Sequence, residues 1–481
     1  MTLTVLARHG AALGLALALA SPAAAQVRTA APSLPQGSPF LGGVPQGTAT
    51  ATPVALTVSD VIFRALDRNL GVLMAEQSTE TARGDRWVSL SNLLPDVRGS
   101  VTESRRKNNL EAYGFPISTI GAGLGVSFPS VVGPFDLFEA RVYADQTLFD
   151  LNALRDAQAA QHRLNAAKYS YRGARDLVVL VAANLYLQAL AADARADAAR
   201  AQYETSQALH QQAMDLRSSG IVAGIDVVRA EVRLRADQQR ATEARNDAQK
   251  TRLELARVIG LPPGQPFTLD SNIPDVPVPT MTVQEALDQA YANRADYKAA
   301  LEQLHAAEAA RAAAVAEHLP SVKLEADYGT LGLTPAAALP TFNVTGSLNV
   351  PIFEGGKAEG HVARADAELR TRRAQVDDMR AQIDYDVRSA FLDLQSSSEA
   401  LQAATRGRDL ASQELTQARD RFAAGVASNI EVVQAQEAVA SATEQFIGAQ
   451  YAYNIAKAML ARSIGTAEDA VRKYLGGPTH P

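Results

Sequence analysis

DLRSSGIVAGIDVVRA at residues 215–230 and DRFAAGVASNIEVVQA at residues 420–435 are two copies of one pattern, and they decide the fold. Each copy lies between long stretches that lack proline and contain few glycines. We therefore predict that each is a tip, where a long helix ends and the chain turns back. Gly220 and Gly425 fit a position just past a helix end, because glycine adopts positive φ without a Cβ clash. Asn429 can cap the helix that returns from the second tip.

Helices are predicted on both sides of each tip. Long helices are expected at 151–219 and 356–424, and shorter ones at 58–93, 224–259 and 429–464. At 1.5 Å per residue a long helix spans about 100 Å, which two short helices match end to end. We expect a bundle in which each long helix lies against a stacked pair. Apolar residues spaced alternately by three and four form coiled-coil seams at Leu164, Ala167, Tyr171, Ala174, Val178, Val181 and Leu185, and at Val376, Met379, Ile383, Val387, Ala390 and Leu394.

A pair of strands precedes each long helix. Strands are predicted at 97–105 and 135–148 in the first half, and at 321–328 and 342–352 in the second. Apolar and polar residues alternate along them, so each ribbon has one apolar and one polar face. This pattern is typical of a β-barrel with lipid outside and water inside. The alternative is a half-buried sheet on a soluble core, but only helices could cover it, and their apolar faces are used in the seams.

Four strands are too few to close a membrane barrel, since known barrels begin at eight. Open strand edges cannot sit in hydrocarbon, because their backbone groups would lack partners. Several chains must therefore share one barrel, and three chains supply twelve strands and a ring of helices. The expected fold class is α+β: a coiled-coil α-helical barrel continuous with a transmembrane β-barrel, formed by a trimer of chains with two internal repeats and four strands each.

The ends of the chain and the join between the halves are also marked in the sequence. Arg8, an apolar run and a small-residue site before Gln26 indicate a secretory signal peptide. No other run approaches the roughly 18 apolar residues of a membrane helix. The predicted divisions are a signal peptide at 1–25, a flexible segment at 26–55, a first repeat at 56–260, a Pro-rich linker at 261–280, a second repeat at 281–465 and a tail at 466–481.

Composition argues against several classes of function. The chain has 481 residues, a net charge of −6 and no cysteine, which argues against nucleic-acid binding and excludes thiol chemistry. The glycines at 121–125 are not followed by a helix, so they do not indicate a nucleotide site. We expect no enzyme activity, no cofactor and no metal site. The six histidines of the predicted mature chain are scattered without metal-ligand spacing: His162, His210, His305, His318, His361 and His480.

These features together resemble the TolC-like outer-membrane efflux proteins across nearly the whole mature chain. The resemblance is carried by Leu94-Pro95 and Leu319-Pro320 at helix ends, by PIFEGG at residues 351–356 and by the paired tips. It implies a trimer in the outer membrane with a large periplasmic part, and an equatorial belt that includes the linker near Pro262 and the C-terminal tail. It also implies partners: outer-membrane lipid, a periplasmic adaptor and an inner-membrane pump.

The resemblance implies a passive exit duct of a tripartite efflux or type I secretion system, gated at the helical tips. The alternative function is a non-transporting periplasmic coiled-coil scaffold or adaptor. Cargo is not determined by the sequence, and drugs, metal ions and polypeptide all remain open.

The same resemblance implies which residues form the gate and meet the adaptor. At the tips, Phe422 occupies a position that can hold tyrosine, and Ala427 replaces a basic residue of some relatives. The closed state is therefore expected to depend more on coiled-coil packing than on tip hydrogen bonds. For the acids, helix capping worth about 0.3–1 kcal/mol is the other interpretation, and it is compatible with gating. The candidate residues are Gly220, Asp226, Phe422, Gly425, Glu431 and Gln434.

Overall fold

The computed structural model describes residues 35, 37–110, 112, 129–220, 222–271, 281–424, 426 and 429–475. The signal peptide, the glycines at 121–125, residues 272–280 of the linker and the tail beyond 475 therefore lie outside the described residues. The strands are β1 Val54–Leu56, β2 Asp96–Asn109, β3 Val131–Phe149, β4 Phe267–Leu269, β5 Ser321–Gly332 and β6 Leu339–Asn349. The helices are α1 Val58–Arg68, α2 Leu70–Ser91, α3 Leu151–Ser218, α4 Gly224–Val258, α5 Val283–Asn293, α6 Ala295–Ala316, α7 Lys357–Ala423, α8 Asn429–Ser463 and α9 Ala467–Leu475.

The two hairpins join into one antiparallel sheet in the order β2-β3-β5-β6. Strand β3 of the first repeat pairs with β5 of the second, with Ala144 opposite Ala326. Strand β6 ends at Asn349, so Val350 and Ile352 lie beyond the strand that the sequence predicted for them. Pro351 explains the early end, because proline has no N–H for the sheet ladder.

The sheet has one apolar and one polar face, as the alternation predicted. In the single chain the apolar face is exposed: Val101 is 74% exposed and Phe342 is 77% exposed. On the opposite face, Arg141 donates to Glu139, Asp327 and Thr341, which links three strands. Among the described residues, β2 and β6 each pair on one side only, so both edges of the sheet are open.

The helices follow the strand order. On the strand side, α2, α3, α6 and α7 lie side by side, so α2 and α7 are the edges of the bundle. On the tip side, α3 packs against α4 and α8, and α7 packs against α8. Helices α2 and α4 lie end to end beside the long α3, which confirms the predicted packing of a long helix against a stacked pair.

The helix predicted at 58–93 is wrong in one respect, because it breaks at Asn69 into α1 and α2. Asn69 has φ −67° and ψ 131°, and its side chain accepts from the Gly71 N–H. Its Nδ2 donates to the Phe40 carbonyl at 2.8 Å. A Cβ on Gly71 would lie 2.3 Å from the Phe40 ring. The break therefore seats the N-terminal segment against the bundle, and the second repeat has the same break at Arg294.

The main core lies at mid-height and forms the belt. Buried residues of α1, α3, α4 and α8 meet there, together with Val471 and Tyr474 of α9 and Leu261 of the linker. Strands β1 and β4 pair in parallel beside it, with Val54 opposite Phe267. The linker and the C-terminal tail thus take part in the belt, as the resemblance implied.

We predicted that no stretch after the signal peptide is apolar enough to form a membrane helix, and this prediction is wrong. Helix α3 contains an 18-residue window with a mean hydropathy of 1.7, which is apolar enough to cross a bilayer. However, 67% of that window is buried inside the protein. It supplies Val178, Val179, Leu180 and neighbouring residues to the belt core, so its hydrophobicity is explained by packing.

One acid in the belt has an altered titration. Asp176 lines a cavity between α3, α6 and α7 together with Asp296 and Arg462. Burial raises the pKa of Asp176 to about 6; the charges of Glu468 and Asp296 act in the same direction, and Arg462 and Arg175 oppose them. The folded chain therefore holds a proton that the unfolded chain releases near pH 4. Stability must fall as the pH rises through this window and stay lower above it.

We expect Asp176→Asn to stabilise the protein at pH 7.5 by about 1–3 kcal/mol, because it removes the cost of ionising a mostly buried carboxyl. At pH 4 the gain should be close to zero. Thermal unfolding of the solubilised protein from pH 4 to pH 8 measures this, and the variant should show the shallower dependence on pH. Asp378→Asn, an exposed change on the same cavity, is the control. An equal gain at both pH values would contradict the prediction.

Candidate functional site

The first tip joins α3 to α4. The Ser219 N–H donates to the Asp215 carbonyl at 3.1 Å, and Gly220 follows with φ 72°. A Cβ on Gly220 would meet nothing within 4 Å, so positive φ rather than lack of space favours glycine here. Asp226 lies in the first turn of α4, and Arg229 donates to it at 3.4 Å. This placement fits the capping role, and the Asp226 side chain stays 25% exposed.

The second tip joins α7 to α8. The Val426 N–H donates to the Arg421 carbonyl at 3.0 Å. Gly425 and Ala427 lie outside the described residues. Glu431 is in the first turn of α8, and its carboxylate lies 3.4 Å from Nε of Arg421. Both side chains of this ion pair are about half exposed, so Glu431 can meet solvent or a passing ion.

Phe422 brings the two tips together. It packs beside Leu415 and Leu209 on a small core of Ala418, Val432 and Ala435. It also shares a small crevice with Asp226, Leu216 and Val222 of the first tip. The position thus makes an apolar contact between the repeats. Gln434 is exposed on α8 and stands apart from this contact.

A charge cluster behind the tips, which the sequence analysis did not identify, joins α3, α4 and α8. Its centre is Asp237 on α4, whose side chain is 0% exposed. Asp237 accepts from Ser206 of α3 and from Arg233 at 2.8 Å, and Arg240 approaches its other oxygen at 3.4 Å. Arg233 also donates to Glu437 of α8, and Arg240 lies 3.5 Å from it. We call these five residues the α4–α8 clamp.

The clamp holds Glu437 in its ionised form. The hydrogen bond from Arg233 lowers the pKa of the Glu437 carboxyl, and the charges of Arg233 and Arg240 act in the same direction against partial burial. Asp237 is buried and needs its partners, because an unpaired charge in the interior is strongly destabilising. Moving α8 away from α4 would break two contacts to Glu437 while Asp237 kept Ser206 and Arg233. The cluster can therefore open at its α8 side.

A groove of about 1110 Å³ lies next to the clamp, between α3, α4 and α8. Its walls combine alanines such as Ala198, Ala244 and Ala440 with charged residues. Gln202 also lines it, and the buried Nε2 of Gln202 finds no acceptor among the described residues. Small side chains in these walls would permit close approach of another helix.

Comparisons with known proteins place this arrangement in context. The family model described as outer membrane efflux protein matches residues 61–261 and 286–466. The chain is 26% identical to the alkaline protease secretion protein AprF of Pseudomonas aeruginosa over 353 residues, covering 70% of this chain and 71% of AprF. It is 22% identical to the outer membrane protein TolC of Salmonella enteritidis over 365 residues, covering 70% of this chain and 72% of TolC.

Solved structures share the fold. The structure of CusC superposes with a TM-score of 0.72 at 19% identity, covering 88% of this chain and 99% of CusC. The outer membrane protein VceC of Vibrio cholerae also gives 0.72, at 18% identity, covering 85% of this chain and 96% of VceC.

Proposed function

Because the chain belongs to the outer membrane efflux protein family, we propose that three copies form one continuous exit duct with its gate at the helical tips. As a member of this family, the chain is an outer-membrane efflux or secretion channel, with a large periplasmic part. Our proposal concerns the trimer, the residues of the gate and the partners. The partners are a periplasmic adaptor, an inner-membrane pump and the lipid of the outer membrane.

The observation that carries the proposal is the four-stranded sheet with an exposed apolar face and two open edges. Unpaired edge strands have no stable place in a bilayer, so β2 of one copy must find β6 of another. The bundle repeats the same order, with α2 at one edge and α7 at the other. A contact between two different edges closes into a ring, and three copies give a barrel of twelve strands.

Both helical edges carry exposed apolar side chains that a neighbouring copy would cover. Trp87 and Val88 on α2 are 59% and 69% exposed, and Tyr385 and Leu392 on α7 are 67% and 68% exposed. Exposed apolar groups at an edge favour association through the removal of apolar surface from water. They support a lateral contact between α2 of one chain and α7 of the next.

Trp87 makes assembly measurable, because it is the single tryptophan of the chain. We expect its fluorescence to move to shorter wavelength when dissociated chains assemble, since the indole leaves water. The measurement follows emission during refolding into detergent, in parallel with the molecular mass of the particle. Assembly to three chains without any change in emission would argue against an α2 edge contact, and a stable monomer would overturn the proposed duct.

We place the gate at the two acids of the tips, where three copies would bring six carboxylates to the duct entrance. Glu431 is the more exposed acid, with a side chain 46% exposed. We expect Glu431→Ala to weaken block of reconstituted channels by divalent cations by about tenfold, the size of effect from losing about 1.4 kcal/mol of cation attraction. Thr416→Ala, on the exposed α7 surface away from the tip, is the control. Unchanged block and ion selectivity would leave Glu431 as a capping residue only.

The adaptor is proposed to dock on the tip side of the bundle, where its helices fit the groove beside the clamp. The alanines allow close helix packing. Arg195 and Arg240, which pair with Glu444 and with the clamp carboxylates, add charge to the walls of the groove. A non-transporting scaffold would not need a sheet with an apolar face, and for that reason we favour the duct.

A further inference from the structure

Two histidines that are far apart in sequence meet between the repeats. His162 lies on α3 of the first repeat, and His305 lies on α6 of the second. Their ring centroids are 5.5 Å apart, with the ring planes inclined by 46°. Their side chains are 35% and 50% exposed, so small ions can reach them from solvent.

Each imidazole is oriented by a carboxylate. Nδ1 of His162 lies 2.8 Å from Oε2 of Glu302, and Nδ1 of His305 lies 3.2 Å from Oε2 of Glu308. An ionised carboxylate only accepts hydrogen bonds, so Nδ1 of each neutral ring carries the proton and Nε2 carries the lone pair. Asn165 donates to the same Glu302 oxygen at 3.3 Å and helps to hold it. Carboxylates orient metal-binding histidines in this way in known metal sites.

The ring separation fits a shared ion. A metal–nitrogen distance of about 2.1 Å, with about 1.1 Å from nitrogen to ring centre, places the two centroids roughly 4.5–6.5 Å apart for bond angles from square to linear. Among the residues that the structure describes, no group of three or more acidic or histidine side chains is arranged to hold a metal. An ion held by two imidazoles would complete its coordination with water.

We propose that Nε2 of His162 and Nε2 of His305 bind one late first-row divalent ion per chain, of the class Cu²⁺, Ni²⁺ or Zn²⁺, which favours imidazole ligands. Glu302 and Glu308 act as positioning residues and supply negative charge, part of which Arg373 offsets at 3.7 Å from Glu308. The ion would join α3 to α6 and so fasten the two repeats together. This site goes beyond the proposed duct and does not depend on it.

The test uses the full chain without a histidine tag, purified in detergent and titrated with Cu²⁺ alone. We expect one bound Cu²⁺ per chain, with an electron paramagnetic resonance spectrum that reports two nitrogen ligands. His162→Gln and His305→Gln should each weaken binding by at least about tenfold and reduce the nitrogen count. Glu302→Gln should weaken it by about 10–100-fold while keeping two nitrogens, the effect typical of an orienting partner.

His361 provides the matched control. Its Nδ1 lies 2.7 Å from Glu317, so it has the same kind of carboxylate partner, but among the described side chains its ring does not contact another imidazole. His361→Gln should leave Cu²⁺ binding unchanged. Cu²⁺ should also raise the unfolding temperature of the parent chain and of His361→Gln, because a ligand bound only by the folded state stabilises it. Absence of stoichiometric binding, or binding that survives both His162→Gln and His305→Gln, would overturn the proposal.

Discussion

Val344→Arg should abolish insertion of the protein into the outer membrane while leaving its periplasmic helices folded. Val344 is at the centre of β6, on the apolar face of the sheet, and is 63% exposed in the single chain. A lipid-facing arginine at the midplane of a β-barrel costs about 2–4 kcal/mol. A trimer would carry this cost three times, and the total is comparable to the stability of many folded domains.

Thr345, the next residue in the strand, provides a control that places the same charge on the opposite face of the sheet. Thr345 points to the polar face, where it is opposite Glu325 of β5. Thr345→Arg adds the same charge to the same strand, but on the polar face beside a carboxylate, which would line the lumen of the proposed barrel, so we expect insertion to remain normal. Heat-modifiable migration and resistance to carbonate extraction of outer-membrane fractions measure the outcome. Equal insertion of both variants would show that the apolar face does not meet lipid.

How much of the fold and of the candidate site could be predicted from sequence depends on whether a feature is determined by residues that are neighbours in the chain. The limits of the long helices are set by local features, such as the glycine at position 220, and the predicted limits agree with the structure to within about a residue. Pro95 and Pro320 mark the chain just beyond the shorter helices α2 and α6 in the same local way. Alternation within a strand similarly fixed the two faces of the sheet. The fold class could therefore be predicted from neighbouring residues.

Features that depend on distant partners could not be predicted in the same way. The break at Asn69 follows from its bond to Phe40 in a segment with little sequence pattern. The pairing of β3 with β5 joins the repeats, and a period of two does not specify which strand lies beside which. Asp237 and Glu437 are ordinary helix-surface residues in sequence, and only packing shows that one is buried and that both share Arg233.

For the proposed gate, the contacts of Glu437 with Arg233 and Arg240 matter more than the tip residues themselves. If the tips open by moving α7 and α8 away from α3 and α4, the contacts of Glu437 must break in every chain. Glu437→Gln removes the ionic part of these contacts but leaves Asp237 with Ser206, Arg233 and Arg240, so the buried carboxylate is not left unpaired. We therefore expect the folded trimer to survive and its closed state to weaken.

The expected size follows from the exposure of Glu437, whose side chain is 50% exposed. Solvent screening limits such a pair to about 1 kcal/mol. If three chains open together, the substitution lowers the stability of the closed state by about 3 kcal/mol in total. That change shifts the ratio of open to closed channels by about a hundredfold. Single-channel recordings in planar bilayers should show a corresponding rise in open probability. Glu243→Gln is the control. Glu243 lines the same groove, and among the described residues its carboxylate accepts a hydrogen bond only from Gln239, one turn away on α4.

The contribution of residue 437 to the stability of the closed state should depend on pH in the parent channel but not in Glu437→Gln. Because Arg233 lowers the pKa of Glu437 in the folded chain, the clamp contributes fully at neutral pH and is lost as the pH falls through that lowered value, below the ordinary glutamate range. Strong acid should therefore raise the open probability of the parent channel toward that of Glu437→Gln. If Glu437→Gln and the parent channel open equally at pH 7, α4 and α8 do not separate when the tips open, and the gate must work through the tip contacts of Phe422, Asp226 and Glu431 alone.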